Sequence, residues 1–308
     1  MTLVAPTCYR PPMRILFVTS NRIGDAVLST GLLDHLLRIH PTARVTVACG
    51  TVAEGVFVRM PNLERLITLE KKPWGRHWLP LWVMAVGTVW DLVVDIRGSA
   101  LSWLVPTRAR ARMRRGPGHK TEQLAAVLGV APAPLPVAWT AAEDHTRAAA
   151  RLPHGTLIAL GPTANTDLKI WPARRFAELF QALAAGPLPG ARAVVFGGPG
   201  PRERALAAPV LEALPDAIDL CGALSLPEAA AALTRCVLFV GNDSGLMHLA
   251  AAAGTPTLGL FGPTPAEEYS PAGRRTAIAR SPTGLMDELS VAAATEAALR
   301  LLDSSAAP

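Results

Sequence analysis

The chain lacks the usual signs of a metal centre, a disulfide framework or a passage through a membrane. Its cysteines are Cys8, Cys49, Cys221 and Cys236, scattered without a Cys-x-x-Cys pair or a histidine at ligand spacing. That excludes a zinc site and a disulfide scaffold and fits a reducing cytoplasm. The N-terminus has no basic stretch followed by an unbroken apolar core, because Pro6, Pro11 and Pro12 interrupt it, so a secretion signal is not expected. Residues 1–13 read as a flexible tail, with Met13 as an alternative start. The apolar stretch 78–89 is too short to span a bilayer, and Asp91 and Asp95 close off its continuation. No Gly-x-Gly-x-x-Gly follows the first strand, and Gly197 to Gly200 is only a loose substitute, which argues against an NAD enzyme.

What is present is a large apolar inventory. The 308 residues are 50% hydrophobic and 18% charged, enough for one large or two medium domains with real cores. Short β-rich runs at 15–19, 44–48, 66–69 and 92–96 alternate with helical ones, the first at about 26–39. Such alternation predicts a parallel sheet with crossover helices. The pattern falters at 131–136, Ala-Pro-Ala-Pro-Leu-Pro, which reads as an extended spacer before a short helix at 143–152. A second series follows, with strands at 157–160, 193–196, 218–220, 238–240 and 257–261 and helices starting near Pro172, Arg202, Pro227 and Gly245. The expectation is two Rossmann-like domains, 1–140 and 141–308, facing each other across a cleft with ligand at the carboxyl ends of their strands. The last helix, 291–302, is expected to cross back onto the first domain.

The run 237–248, Val-Leu-Phe-Val-Gly-Asn-Asp-Ser-Gly-Leu-Met-His, passes from a buried strand into a helix through polar residues and glycine only. The free N–H groups and dipole of a helix start attract anionic oxygen there. A phosphorylated ligand held there needs its oxygens neutralised, by a metal or by helix N-termini and a cation. Lys169 is the candidate cation; Thr163 and Thr166 can donate hydroxyl hydrogen bonds, beside the N–H groups of Ser244, Gly245 and Leu246. Without its Trp-Pro context Lys169 would be a solvated loop lysine.

These segments together resemble a known family. Residues 239–250, with Gly254-Thr255-Pro256-Thr257 and Leu260-Phe261-Gly262-Pro263-Thr264, look like the carboxyl-terminal signature of the heptosyltransferases, glycosyltransferase family 9. Lys169-Ile170-Trp171-Pro172 is similar to the family's Lys-x-Trp-Pro segment, and Gly24-Asp25 stands where the family carries Gly-Asp after strand one. The three motifs, in order, cover roughly 14–303. The resemblance implies a GT-B fold, an ADP-heptose-type donor held by the second domain, and inverting, metal-independent transfer to a lipopolysaccharide core facing the first. No metal and no cofactor are expected. Beyond Thr264 the family's cysteine-containing loop is replaced by Glu267-Glu268-Tyr269-Ser270-Pro271, which leaves the acceptor and the transferred sugar open.

Several residues carry two readings. Asp25 is either a helix N-cap or, as the resemblance implies, the general base that takes the acceptor's proton, with Arg22 and Gly24 beside it on the acceptor side. Asp243 either caps the next helix or accepts from sugar hydroxyls. Glu203 either starts a helix in solvent or, as the resemblance implies, accepts from ribose. His248, one turn into its helix, faces ligand or core; metal binding lacks neighbouring ligands. The rival functions are a nucleotide-sugar-binding protein that no longer transfers and a GT-B sugar-nucleotide epimerase. A pure binder has no need of Asp25 opposite Lys169 and Asp243, and an epimerase calls for more acid/base side chains.

Charge is uneven. Residues 1–150 hold 18 Lys and Arg against 10 Asp and Glu, the remainder 12 against 14. Arg108, Arg110, Arg112, Arg114 and Arg115 form the densest cluster, among Trp74, Trp78, Trp82, Trp90 and Trp103. No nucleic-acid-binding motif accompanies them. They read either as a solvated arginine-rich loop or as a peripheral docking site for the anionic inner leaflet of the membrane, with the Trp-rich helix at the interface.

Overall fold

Strand residues 15–18 are apolar without alternation, and the computed structural model, which describes residues 12–70, 78–114 and 116–303, gives the reason. Both faces of these strands are covered. The first sheet collects β1 (Arg14–Val18), β2 (Arg44–Gly50), β3 (Leu63–Leu69), β4 (Trp90–Asp95) and β5 (Thr107–Arg112), all parallel in the order β3-β2-β1-β4-β5. Its helices are α1 (Ile23–Ile39), α2 (Trp78–Val86) and α3 (Leu101–Leu104). The short α4 (Lys120–Ala125) and α5 (Ala142–Arg151) lead to the second sheet. That sheet contains β6 (Leu157–Gly161), β7 (Arg192–Val195), β8 (Ile218–Asp219), β9 (Leu238–Asn242), β10 (Thr257–Phe261) and β11 (Thr276–Arg280), again all parallel, in the order β11-β10-β9-β6-β7-β8. Its helices are α6 (Ala173–Ala185), α7 (Pro201–Ala213), α8 (Leu226–Leu233), α9 (Gly245–Ala252), α10 (Ala266–Tyr269) and α11 (Val291–Asp303).

Successive strand side chains point to opposite faces, and this sorts the cores. Ile15, Phe17, Val45 and Val47 of the first sheet and Leu157, Ala159, Val194 and Phe239 of the second belong to one core shared with α1, α8 and α9. Leu16, Val18 and Val93 turn the other way, toward α2 and α3. Ile158, Leu160, Val195 and Val240 turn toward α6, α7 and α11. The two sheets thus face each other through a common helical layer, in which α1 and α9 pack together. The 131–136 spacer rests on α1: Val137 N–H donates to Thr30 Oγ1 at 2.8 Å, and a Cβ on Gly31 would stand 2.5 Å from the Pro134 carbonyl oxygen.

Three expectations are corrected. Arg108, Arg110 and Arg112 lie on β5, an edge strand, and not on a solvated loop. The buried residues of the terminal helix, Ala294, Ala297, Ala298 and Leu301, fill the core of its own sheet against α6 and β11, because its apolar stripe finds that surface directly; it does not cross back. Each tryptophan taken alone reads from the sequence as an ordinary core residue; Trp90 is buried as expected, but Trp103 is exposed. Cys8, Pro6, Pro11, Trp74 and Arg115 lie outside the described residues.

Candidate functional site

In an open parallel sheet the crevice forms where the strand order reverses. In the first sheet that point lies between β1 and β4, in the second between β6 and β9. The segments leaving β1, β6 and β9 carry Asp25 in the first turn of α1, then Thr163, Thr166 and Lys169, then Asp243 and Ser244. Topology therefore gathers at the switch points the residues that the sequence singles out.

The two helix starts meet glycine to glycine. A Cβ on Gly24 would lie 2.9 Å from His248 Cδ2, and one on Gly245 would lie 2.8 Å from Ile23 Cβ. The positive ends of α1 and α9 are thereby brought side by side, which is unfavourable without a negative charge between them. Asp25 sits in the first turn of α1, whose N-cap is Arg22; it is not the cap. Its carboxylate accepts from Ser20 Oγ at 3.2 Å. Ser244 is the N-cap of α9, and its side chain makes no capping bond, so Asp243 is no cap either.

Lys169 donates to Asp243 Oδ2 at 2.6 Å, with side-chain exposures of 25% and 8%. The loop that carries the lysine is fixed by its neighbour: buried Trp171 donates its backbone N–H to Asn242 Oδ1 at 3.1 Å and its indole N–H to the Leu289 carbonyl at 2.9 Å. Asn242 in turn donates to the Pro162 carbonyl at 2.8 Å. Trp171 meets Phe176 edge-on, ring centres 5.1 Å apart. Burial pushes the His248 imidazole down to about 4, against the opposing pull of Asp243 and Asp25, which keeps it neutral at physiological pH. Ser244 Oγ and His248 Nδ1 are buried without a hydrogen-bond partner among the described residues, two polar atoms at one helix start.

The model of glycosyltransferase family 9 (heptosyltransferase) matches residues 120–297, more than half of the chain. The chain belongs to this family. It is a glycosyltransferase. Lipooligosaccharide heptosyltransferase 2 of Haemophilus influenzae is 24% identical over an alignment covering 84% of this chain and 86% of that protein. Among solved structures, the family 9 glycosyl transferase of Veillonella parvula superposes with a TM-score of 0.80 at 23% identity, covering 95% of this chain and 97% of that one. The E. coli heptosyltransferase WaaC with ADP gives 0.75 at 20% identity, covering 94% and 100%. The architecture is the GT-B fold of these neighbours.

In this glycosyltransferase the remaining candidates are spread along the same edge. Thr163 is buried beside Gly197; Thr166 is exposed at the start of the short turn that ends at Lys169. Glu203, in the first turn of α7, accepts from the Gly198 N–H at 3.0 Å, so one oxygen already closes the loop after β7. Arg22 is exposed, while Leu246 is half-buried against the shared core.

Other residues at this site escaped the sequence reading. His119, whose ring accepts from the Thr121 N–H, lies 2.9 Å through Nε2 from the Ser270 carbonyl. Gln123 donates to Glu268 at 3.4 Å. The 267–270 segment is thus tied to the start of α4. Its Tyr269 hydroxyl is raised by burial and then by Glu268 and Asp25. The His119-x-x-Glu122 spacing after Gly-Pro-Gly was the available signal of a capped helix, though not of its partner. Asp95, buried and raised by that burial, accepts from Ser99 Oγ at 2.7 Å and from the Arg97 N–H at 3.0 Å. Arg97 then donates to Asn21 at 2.7 Å, on the loop after β1.

Proposed function

We propose that this glycosyltransferase moves a heptose-type sugar from an ADP-linked donor to a lipopolysaccharide core saccharide, with inversion and without a metal ion. The observation that carries the proposal is the meeting of the α1 and α9 starts around Asp25, Lys169 and Asp243. Two adjacent positive helix ends and an ammonium group suit a diphosphate. Ser244 Oγ and neutral His248 Nδ1 offer further polar contacts. The E. coli WaaC structures contain ADP and ADP-2-deoxy-2-fluoro heptose, which supports the donor class.

In this reading Asp25 takes the proton of the acceptor hydroxyl while that oxygen bonds to the anomeric carbon, opposite the diphosphate. The bond from that carbon to the diphosphate oxygen breaks, and its electron pair leaves with ADP. Lys169 and the Ser244, Gly245 and Leu246 N–H groups stabilise that charge, each well-placed donor contributing roughly 3 kcal/mol. Asp243 holds Lys169 and accepts from sugar hydroxyls. Thr163 and Thr166 line the phosphate side, the free Glu203 oxygen reaches the ribose, and Arg22 and Gly24 lie toward the acceptor. The acceptor-side domain ends near residue 140. The ammonium of Lys169 beside the two helix starts supplies the positive charge that a metal would otherwise bring. The enzyme works in the cytoplasm, at the inner face of the membrane that carries the acceptor.

The test is incubation with ADP-heptose and a deacylated lipopolysaccharide core in excess EDTA, with products weighed by mass spectrometry. One added heptose and an equivalent of ADP are expected. ADP-heptose recovered intact, or as an epimer, or transfer only after magnesium is restored, would overturn the reading.

A further inference from the structure

Helices α2 and α3 cover the face of the first sheet that looks away from α1. Leu81 and Ala85 of α2 are buried in that core, yet Leu79, Val83 and Met84, which stand outward, are exposed by 63%, 60% and 41%. No charged residue occurs from Trp78 to Trp90. A surface helix ordinarily turns polar residues outward; α2 turns apolar ones. Trp103 and Leu104 of α3 are exposed by 62% and 60%, and Trp82 Nε1 donates to the Leu104 carbonyl at 2.9 Å, which joins both helices into one apolar surface.

Cations border it in fixed positions. Ala111 of β5 belongs to the α1 side, so Arg108, Arg110 and Arg112, at the alternate positions, project to the α2 and α3 side. Arg110 donates to the carbonyls of Ser102 and Val105, and Arg112 to those of Gly98 and Ser99. Both guanidinium carbons stand 5.6 Å from the centre of the Trp103 ring. Next to Trp78, Arg97 stacks at 5.1 Å and reaches Asn21 of the candidate site, so the surface adjoins the first-domain side of the cleft.

We propose that α2, α3 and β5 form a docking face for an anionic lipid bilayer. The outer side chains of α2 and Trp103 enter the acyl boundary, and the β5 arginines meet lipid phosphates. Charge decides between occupants: a second copy seated on the same face by twofold symmetry would bring arginine against arginine. An anionic surface satisfies both the apolar and the cationic part.

The full chain is sedimented with vesicles of equal parts phosphatidylglycerol and phosphatidylcholine, and with phosphatidylcholine alone, without donor. This separates the result from that of the sugar-transfer reading. Binding at least about tenfold tighter to the anionic vesicles, and weakened by salt, is expected. Leu79→Ser with Val83→Ser lowers binding about tenfold or more, and Arg108→Ser with Arg110→Ser about tenfold, while transfer to a deacylated acceptor stays at the wild-type level in the Leu79 and Val83 variant. If loss of the Arg110 contacts unfolds that variant, Arg108→Ser alone, on a side chain 75% exposed that pairs with Asp91 at 2.6 Å, still lowers the positive charge of the face by one, and Asp91→Asn, which frees Arg108, should strengthen binding to the anionic vesicles. Equal sedimentation of wild type and variants, or no preference for anionic lipid, overturns the proposal. So does a dimer, seen by ultracentrifugation, that the Leu79 and Val83 changes dissociate.

Discussion

Asp25 and Lys169 divide the proposed chemistry between the two domains, and their variants separate it. Asp25→Asn keeps the size of the side chain and removes its basicity, so turnover should drop by about a thousandfold with donor affinity nearly unchanged; calorimetry of ADP binding beside initial rates tests this. Unchanged turnover would remove the base assignment. Lys169→Met is different, because it strands the Asp243 carboxylate, only 8% exposed, without its partner. Stability should fall by about 2 kcal/mol and ADP binding should weaken, and adding Asp243→Asn should recover stability but not binding. A double variant as unstable as the single one would show that the pair is not what Asp243 needs. His248 gives a pH signature. Its imidazole is pushed from 6.5 down to about 4, so between these values the unfolded chain binds a proton that the folded protein refuses. Stability is complete above about 6.5 and falls as pH drops toward 4, by at most on the order of 3 kcal/mol. Urea midpoints at about pH 7 and about pH 5 should diverge in the wild type and converge in His248→Gln. Glu228, held at about 2 by the Ser225 N–H and Arg147, loses its contribution only below its ordinary 4.5, in a lower window.

Elements differ in how openly the chain declares them. Residues 238–241 and 258–261 are apolar or glycine because their strands are buried on both faces, and the polar residues that follow the first stand at the switch point; the fold was legible for that reason. β5 was not. Thr-Arg-Ala-Arg-Ala-Arg has weak strand propensity, and its pairing with β4 is settled by the sheet rather than by itself. The contact of His119 with Ser270 spans 151 positions and left no local trace, and the terminal helix has an apolar stripe that either sheet could have received. The 162–172 loop shows an element held by its neighbours. Trp171→Ala should cost about 4 kcal/mol, whereas Trp171→Phe should cost about 1 kcal/mol for the lost indole bond and raise the KM for donor by loosening Lys169. A Phe variant with unaltered KM would mean the loop is set otherwise. At the seam of α1 and α9, Gly245→Ala should cost about 2 kcal/mol by pressing on Ile23, and Ile23→Ala in the same chain should not relieve it, because the nearest atom, Ile23 Cβ at 2.8 Å, remains.

At the scale of the molecule, neither sheet owns its inner core. Ile15 and Phe17 share one apolar cluster with Phe239 and Met247, so unfolding should register as a single calorimetric transition, and a substitution such as Phe17→Leu should lower the stability of both sheets together. Two separated transitions would show that the sheets melt independently.

That shared layer also sets a timetable for the chain during its own synthesis. When α1 leaves the ribosome, the surface meant for α9 has no partner until residue 252 has followed, an interval of roughly ten to forty seconds at ordinary elongation rates. Through that interval an apolar helix face and a half-covered parallel sheet stand open to water, to chaperones and to other nascent chains. Ribosome-bound chains halted after residue 150 should therefore be cut readily within α1 by a dilute protease, and chains long enough to expose α9 should resist.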